Sequence, residues 1–439
     1  MTTGLRKLKV LILVVGDVAA AYLALVAALF IRYGGGSFDE QWGRHFAPFT
    51  LVFVLWLVIL YIVGLYELDR VRNRLDLLSR TAEALVASGL VSLAVFYFAT
   101  DYNITPKTNL VLTLVIFGAI FVGWRLYTFS LFARDRFRSR LLFLGQAPEA
   151  AELCSTIESA PHLGWKCVGV ISAMPADGRL PEADTIVVSR VLGEREDLTR
   201  ALYDRFFAAT TIIDFPAFYE SVRRTVPESA LSEQWVLNNL AARDIAAYDH
   251  LKRPFDFVAA AILLVPAAPI MLLTGLAIWL NDRGPVFYRQ ERVGRGGKSF
   301  QIIKLRTMAV DAEKSGAAFA SEKDPRITGV GRFLRESRLD ELPQLWNILR
   351  GDMSFVGPRP ERPEFEQQLA ASIPLFPVRH LIRPGLTGWA QVNEAYAASE
   401  EDHLRKLKLD LYYIKHRSLT LDMTIVLKTI YSVLKRRGR

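Results

Sequence analysis

Charge-poor runs recur near the start of the chain: Val10–Ile31, Ala47–Tyr66, Ala84–Thr100 and Thr108–Trp124. Each is close to the roughly 17–25 apolar residues that a membrane-spanning helix needs, so the pattern predicts a four-helix transmembrane bundle over residues 1–135. The first run is too long for a signal-peptide core and lacks a small-residue cleavage site, so it reads as an anchor that is kept. From Arg140 the pattern changes to short apolar strands separated by helical stretches: LLFLG, PEAAELCSTIESA, KCVGVIS, TIVVS, LTRALYDRFFAA and TTIIDF. That alternation predicts an α/β, Rossmann-like domain with a parallel sheet over residues 136–248. A further charge-free run, Phe257–Leu280, is long enough to span, but Pro266 and Pro269 stand near its middle, where they remove backbone donors and bend a helix. The last stretch, SLTLDMTIVLKTIYSVLKRRGR, has apolar residues at helical spacing and ends in Lys435, Arg436, Arg437 and Arg439. It reads as an interfacial helix held by apolar burial and basic residues.

The charges between these runs give an orientation. Arg6, Lys7 and Lys9 precede the first run, Arg70, Arg72, Arg74 and Arg80 lie between the second and third, and Arg134, Arg136, Arg138 and Arg140 follow the fourth. The alternate loops, RYGGGSFDEQWGRHF and DYNITPKTN, carry far fewer cations. The positive-inside bias therefore puts both ends of the bundle, and the chain after Arg134, on the cytoplasmic side. Lys252 and Arg253 precede the fifth run, and Arg283, Arg289, Arg292, Arg295 and Lys298 follow it. A crossing would carry one of these clusters to the wrong side. The expectation is a re-entrant helix over 252–280 that breaks near Ala268-Pro269 and returns to the cytoplasmic face; the alternative is a kinked fifth span.

Composition narrows the function classes. With 51% hydrophobic residues over 439 positions, the chain is too apolar for an ordinary soluble enzyme. Its formal charge of +9 lies beside membrane segments, which points to anionic lipid and phosphorylated ligands and not to nucleic acid. Cys154 and Cys167 have no metal-site spacing and face a reducing compartment, so they read as packing residues. Asp17, inside the first run, needs a partner there, such as Arg125 or a polar side chain. Gly145 ends the first strand of the α/β domain, but GQAPEA lacks the second and third glycines of GxGxxG. Dinucleotide binding is therefore disfavoured against a regulatory or assembly role.

The candidate chemistry follows the fifth run. FYRQERVGRGGKSFQIIKLRTM reads as a hairpin leading to a strand that places Lys304 and Arg306 on one face. Beyond it, ITGVGRFLRESRLDELPQLWNILRGDMSFVGPRP sets Asp340 and Glu341 between Arg332, Arg335 and Arg338 on one side and Arg350, Arg359 and Arg362 on the other. Proline is tolerated in the first turn of a helix, so Pro343 predicts Asp340 as the N-cap, with unpaired N–H groups and the positive dipole end around the pair. An Asp-Glu pair at a helix start is, on its own, a cap. The surrounding arginines add a second reading, in which one carboxylate attacks phosphorus to give an acyl phosphate and the other holds Mg²⁺. His380 is isolated and stays outside the catalytic set. Gln391, in GLTGWAQVN, contacts a sugar or orders a loop.

The run from KRPFD through RQERVGRGGKSF, KLRTM, DPRITGVGRFLR, LDELPQLWNILRGDMSFVGPRPERPEF and RPGLTGWAQVN resembles the polyprenyl-phosphate hexose-1-phosphate transferases of the monotopic phosphoglycosyl transferase superfamily. The resemblance implies a mixed α+β monotopic catalytic domain over 249–439, carrying the re-entrant membrane helix. It implies transfer of a sugar-1-phosphate from a UDP-sugar, with glucose or galactose favoured, to undecaprenyl phosphate, releasing UMP through a covalent phosphosugar-enzyme intermediate. It places the nucleophile on Asp340, the Mg²⁺-binding carboxylate on Glu341, a phosphate-contacting arginine on Arg335, the PRP arginine on Arg359 and the strand lysine on Lys304. Arg306, Arg338 and Gln391 complete the substrate-binding candidates. At the helix bend the family has Ser-Pro where this chain has Ala268-Pro269, which loses a hydroxyl and keeps the proline. The implied setting is the bacterial inner membrane, with the catalytic domain on the cytoplasmic face and downstream glycosyltransferases taking the product. The bundle and the α/β domain both offer surfaces for a homodimer. Two other classes compete: a nicotinamide-dependent nucleotide-sugar enzyme working through the α/β domain, and a non-catalytic scaffold of polysaccharide assembly.

Overall fold

A computed structural model of the chain describes residues 2–66, 74–98, 107–134, 138–145, 147–175, 179–189, 199–203, 210–240, 242–310, 312, 324, 326–394 and 399–434. The loop arginines Arg70, Arg72 and Arg136 and the terminal Lys435, Arg436, Arg437 and Arg439 lie outside the described residues. The chain divides into two compact units, Met1–Arg223 and Arg224–Arg439.

In the first unit the apolar runs fold as helices α1 (Thr2–Tyr33), α2 (Phe38–Ile62), α3 (Arg74–Phe98) and α4 (Lys107–Phe132). All four are long and apolar enough to cross a membrane. Helix α2 begins ahead of its predicted run. Phe38, Trp42 and Phe46 recur every four residues with ring centroids 6.0 and 5.4 Å apart, and Asp39 and Glu40 sit in the first turn, where acidic side chains suit the helix dipole. Asp17 finds the expected partner. Arg125 Nη2 lies 2.5 Å from its Oδ2, Tyr66 Oη donates to the same oxygen at 2.8 Å, and Arg125 Nη1 donates to Leu65 O at 2.8 Å. Both side chains are buried, so the pair links α1 to α4 where neither charge could stand alone.

The α/β part of this unit is a parallel sheet of order β2-β1-β3-β4, formed by β1 (Ser139–Leu144), β2 (Trp165–Ile171), β3 (Thr185–Val188) and β4 (Thr211–Asp214). Helices α5 (Pro148–Ser159) and α6 (Phe215–Arg223) belong to it. Strand β1 is apolar on both faces. Leu141 and Phe143 pack with Leu153, Ile157 and Phe218, while Leu142 and Leu144 pack on the other side with Leu180 and Ile186. Within LTRALYDRFFAA, residues 199–203 are helical, and 198 and 204–209 lie outside the described residues. Cys154 and Cys167 differ from the expected packing pair, because they form a disulfide with Cα atoms 5.6 Å apart. Helix α5 lies against β2 and brings the two side chains together, which a sequence separation of 13 does not reveal.

The second unit begins with α7 (Glu233–Asn239) and a 41-residue helix, α8 (Ala242–Asp282). The latter stays helical through Pro254, Pro266 and Pro269, so the expected break at Ala268-Pro269 does not interrupt it. Proline's fixed φ is itself helical and each ring removes only a local hydrogen bond, so the flanking turns persist. Ile262, Val265, Leu272 and Leu273 on α8 are 65–75% exposed, whereas Ala260, Ala267 and Ile278 are buried. The remaining elements are a hairpin of β5 (Phe287–Val293) and β6 (Ser299–Leu305), helices α9 (Gly329–Ser337) and α10 (Gln344–Arg350), and strand β7 (Ser354–Val356). They are followed by α11 (Pro363–Ser372), β8 (Gly385–Thr387), α12 (Trp389–Asn393), α13 (Glu400–His416) and α14 (Leu419–Leu434). β7 and β8 pair in parallel. Val226, Trp235, Phe376, Trp389, Leu407 and Tyr413 share one core, so residues on both sides of the long apolar helix build one body.

Candidate active site

Asp340 and Glu341 are positioned by a change of helical register. Thr328 caps α9, accepting from Gly331 N–H at 2.9 Å. A Cβ on Gly331 would lie 1.9 Å from Thr307 O, so only glycine lets α9 seat on the end of β6. Helix α9 stops at Arg338, whose φ of 59° is left-handed, a conformation that costs a non-glycine residue about 1 kcal/mol. The chain then makes a 3-10 turn over Leu339–Glu341, and Pro343, not Asp340, is the N-cap of α10. This corrects the predicted capping role. The donors expected to be free are spent on i→i+3 bonds, Glu341 N–H to Arg338 O and Leu342 N–H to Leu339 O, both 3.2 Å. The carboxylates therefore depend on side-chain cations and not on an open helix end.

Those cations converge on Glu341. Its Oε1 lies 3.5 Å from Arg359 Nη2 and 3.6 Å from both Lys304 Nζ and Arg338 Nη1. Burial pushes the Glu341 carboxyl up, but Lys304, Arg359 and Arg338 outweigh it and hold the group at about 2. Asp340 has the opposite fate. Burial first, and the neighbouring Glu341 charge second, raise its pKa, with Lys304, Arg338 and Arg335 opposing. The pKa values of the adjacent carboxyls are thus driven apart, one group a fixed anion and the other a more basic oxygen.

Lys304 reaches the pair because α10 is pinned to β6. Asn347, fully buried, accepts from Ile303 N–H at 3.1 Å and donates through Nδ2 to Gln301 O at 2.8 Å. Its carboxamide supplies the donor and acceptor that a neighbouring strand would offer to this edge. Ile302, on the Lys304 side of β6, packs with Leu345 and Ile348. Arg359 arrives on the loop after β7.

The other predicted residues divide. Arg335 Nε donates to Thr307 Oγ1 at 2.9 Å and adds to the positive potential at Asp340. Arg306 is buried and pairs with Asp282 at the end of α8, so it anchors that helix and does not join Lys304. Gln391 donates to Leu386 O at 3.4 Å on α12, and no described contact joins it to the carboxylates. Ala268 and Pro269 lie within α8. His380 pairs with Glu366 at 2.6 Å. Arg292, which the sequence reading left unassigned, lies within electrostatic reach of Lys304. Burial, and Arg359 after it, lower its pKa to about 10. Its alternation with Tyr288 and Gln290 opposite Lys304 was the available signal.

The stretch that carries the Asp340-Glu341 pair matches a known family. The family model described as bacterial sugar transferase matches residues 247–436. The chain is similar to a UDP-N-acetylgalactosamine-undecaprenyl-phosphate N-acetylgalactosaminephosphotransferase of Aeromonas hydrophila, 41% identical over 245 residues, which are 55% of this chain and 57% of that protein. A UDP-glucose:undecaprenyl-phosphate glucose-1-phosphate transferase of Caulobacter vibrioides is 47% identical over 190 residues, 43% of this chain and 71% of that protein. An undecaprenyl-phosphate glucose phosphotransferase of Komagataeibacter xylinus is 41% identical over 318 residues, 67% of this chain and 59% of that protein. The chain thus spans less than two thirds of the Aeromonas and Komagataeibacter proteins.

Proposed function

The chain belongs to the bacterial sugar transferase family, and on that premise we propose that it moves a sugar-1-phosphate from a UDP-sugar to undecaprenyl phosphate, releasing UMP. The observation that carries this reading is the Asp340-Glu341 pair, with its carboxyls driven apart and cations gathered on Glu341. Phosphoryl transfer demands positioning and charge neutralisation, and little acid–base chemistry. In the first half-reaction an Asp340 carboxylate oxygen attacks the sugar-bearing phosphorus. The new O–P bond forms an acyl phosphate, and UMP departs with the electron pair of the broken P–O bond. In the second, a phosphate oxygen of undecaprenyl phosphate attacks the same phosphorus, and the Asp340 carboxylate leaves regenerated. Lys304, Arg338 and Arg359 hold phosphate oxygens through both steps, with Arg335 adding positive potential at Asp340.

Glu341, ionised down to about pH 2 and adjacent to Asp340, fits a Mg²⁺ ion, which is typically held by one or two protein carboxylates together with substrate phosphates and waters. The chemistry that Mg²⁺ would supply there is neutralisation of charge on the phosphates. Glu341 is the residue that would hold it.

The acceptor is a lipid, and α8 supports a membrane-embedded site. Its exposed apolar surface is far larger than a soluble protein leaves unpaired. Its two ends are tied to the same unit: Lys252 pairs with Asp422 and Arg253 donates to the carbonyls of Ile348 and Leu349, while Asp282 pairs with Arg306. A simple crossing would have to put these ends on opposite sides of a bilayer. We therefore favour a re-entrant placement in which the continuous helix is bent, not broken, at Pro266 and Pro269, with the site on the cytoplasmic face of the bacterial inner membrane. With Cys154 and Cys167 replaced by serine, an Arg295→Cys variant in intact cells is expected to react only with a membrane-permeant maleimide. Labelling by an impermeant reagent would overturn the placement.

Purified protein with undecaprenyl phosphate is expected to release UMP from UDP-glucose or UDP-galactose at least about ten-fold faster than from UDP-N-acetylglucosamine or UDP-N-acetylgalactosamine. UMP release from none of them would refute the activity, and a preference for an N-acetyl sugar would refute the hexose assignment.

A further inference from the structure

Arg359 is carried by the turn Pro358-Arg359-Pro360, in which both prolines lack an N–H. Such a turn has the Arg359 N–H as its one backbone donor, so its carbonyls must be satisfied from outside. Each of them is. Gly385 N–H donates to Pro358 O at 2.9 Å, Arg379 Nη2 donates to Arg359 O at 2.9 Å, and Arg292 Nη1 donates to Pro360 O at 3.0 Å. Val293 N–H then takes Glu361 O at 3.0 Å. Two of the four grips are guanidinium groups, and these are themselves aimed. Arg292 Nε and Nη2 donate to Gln290 Oε1 at 3.1 and 2.6 Å. Arg379 Nη2 also donates to Asp410 Oδ2 at 2.9 Å, with side-chain exposures of 6% and 2%, and its guanidinium lies 4.8 Å from the Phe376 ring centre.

Arg379 is the more committed of the two. It holds the carbonyl of the very residue whose side chain reaches Glu341. Burial raises the Asp410 carboxyl to about 6 against the pull of Arg379, so a charge here is costly, and Arg379, 2.9 Å away, is its countercharge. A buried ion pair is weak support for stability alone, since apolar side chains of similar volume often do as well. Holding one peptide in place is work that an apolar pair could not do.

Building on the transfer reaction proposed above, we propose that Arg379, locked by Asp410, is a positioning residue for Arg359: it fixes the Arg359 peptide so that the guanidinium meets the phosphate being transferred. The proposal requires Arg379 and Arg359 to act as one unit, which a purely structural arginine would not.

The test is a double-mutant cycle on the full-length protein, read as UMP release from UDP-glucose, or from the best donor of the panel above. Arg379→Met is expected to lower kcat/KM about 30-fold, and Arg379→Lys, which keeps the charge and a single donor nitrogen, to recover part of that loss. In an Arg359→Gln background either substitution is expected to cost less than about three-fold, because the group it aims is gone. Equal losses in the two backgrounds would overturn the proposal, as would Arg379→Lys performing no better than Arg379→Met. Asp410→Asn, which keeps the shape and one acceptor oxygen, is expected to show a smaller loss with the same dependence on Arg359, and it carries the test if the Arg379 variants do not fold. Asp340→Asn separates this proposal from its premise: full turnover in that variant sinks the transfer mechanism itself, whatever the cycle gives.

Discussion

Asp340→Asn is expected to reduce UMP release by at least about a thousand-fold while leaving the protein as stable as before or more so. Asparagine keeps the shape that fits the 3-10 turn over Leu339–Glu341 and removes only the anionic oxygen that would bond phosphorus. Burial and the Glu341 charge raise the Asp340 pKa, which strengthens the oxygen as a nucleophile but costs folding energy when it is ionised. The sign of the stability effect follows. A group whose folded pKa lies above its unfolded one favours folding below the unfolded value, and that advantage is lost as pH rises through the folded value. At neutral pH the Asp340 charge is therefore a burden on the fold, and its removal should hold Tm constant or raise it. The same shift predicts that wild-type activity declines as pH falls through the raised Asp340 pKa. Radiolabelled UDP-sugar should leave label on wild-type protein and none on the variant. Turnover within ten-fold of wild type, or equal labelling of both proteins, would rule out Asp340 as the covalent nucleophile.

Much of this was legible in the sequence because it depends on local patterns. The apolar runs gave the bundle, the alternation from Arg140 gave the parallel sheet, and the spacing of Lys304 on β6 gave one side of the site. Asp17 announced its need for a countercharge, and Arg125 supplies it. What the sequence hid depends on tertiary placement. Pro343 marks a helix start correctly, but the left-handed Arg338 inserts a tight turn ahead of it, so the carboxylates precede α10 instead of capping it. Arg306 alternates with Lys304 and looked like its companion; β6 ends at Leu305, and beyond the strand the side chain is free to turn to Asp282. Asn347 reads as an ordinary polar position on an amphipathic helix, and only the free edge of β6 gives its carboxamide a purpose. Cys154 and Cys167 became partners through a helix-on-strand contact that no spacing rule contains.

Glu341→Gln should separate the two carboxylates by moving stability in the opposite direction. Glu341 is held at about 2, below the ordinary carboxylate range. A depressed folded pKa contributes stability above the unfolded value and loses it as pH falls through the folded one. At neutral pH that contribution is fully present, so the glutamine variant should lose it. Lys304, Arg338 and Arg359 would then face one another without the oxygen they share, at a cost of about 2 kcal/mol after allowing for the partial exposure of Arg338 and Arg359. A fall in Tm is the expected result, against the unchanged or higher Tm of Asp340→Asn. Activity should drop about a hundred-fold in kcat, with KM for the UDP-sugar no higher than wild type, since the cations that hold its phosphates gain net charge. If Glu341 holds Mg²⁺, the concentration for half-maximal rate should also rise at least about ten-fold. An unchanged Mg²⁺ dependence would remove the metal role from Glu341 and leave it as the countercharge of the cluster. A Tm that moves the same way in both variants would refute the electrostatic division of the pair, because that division requires neighbouring carboxyls one residue apart to oppose and to support the fold.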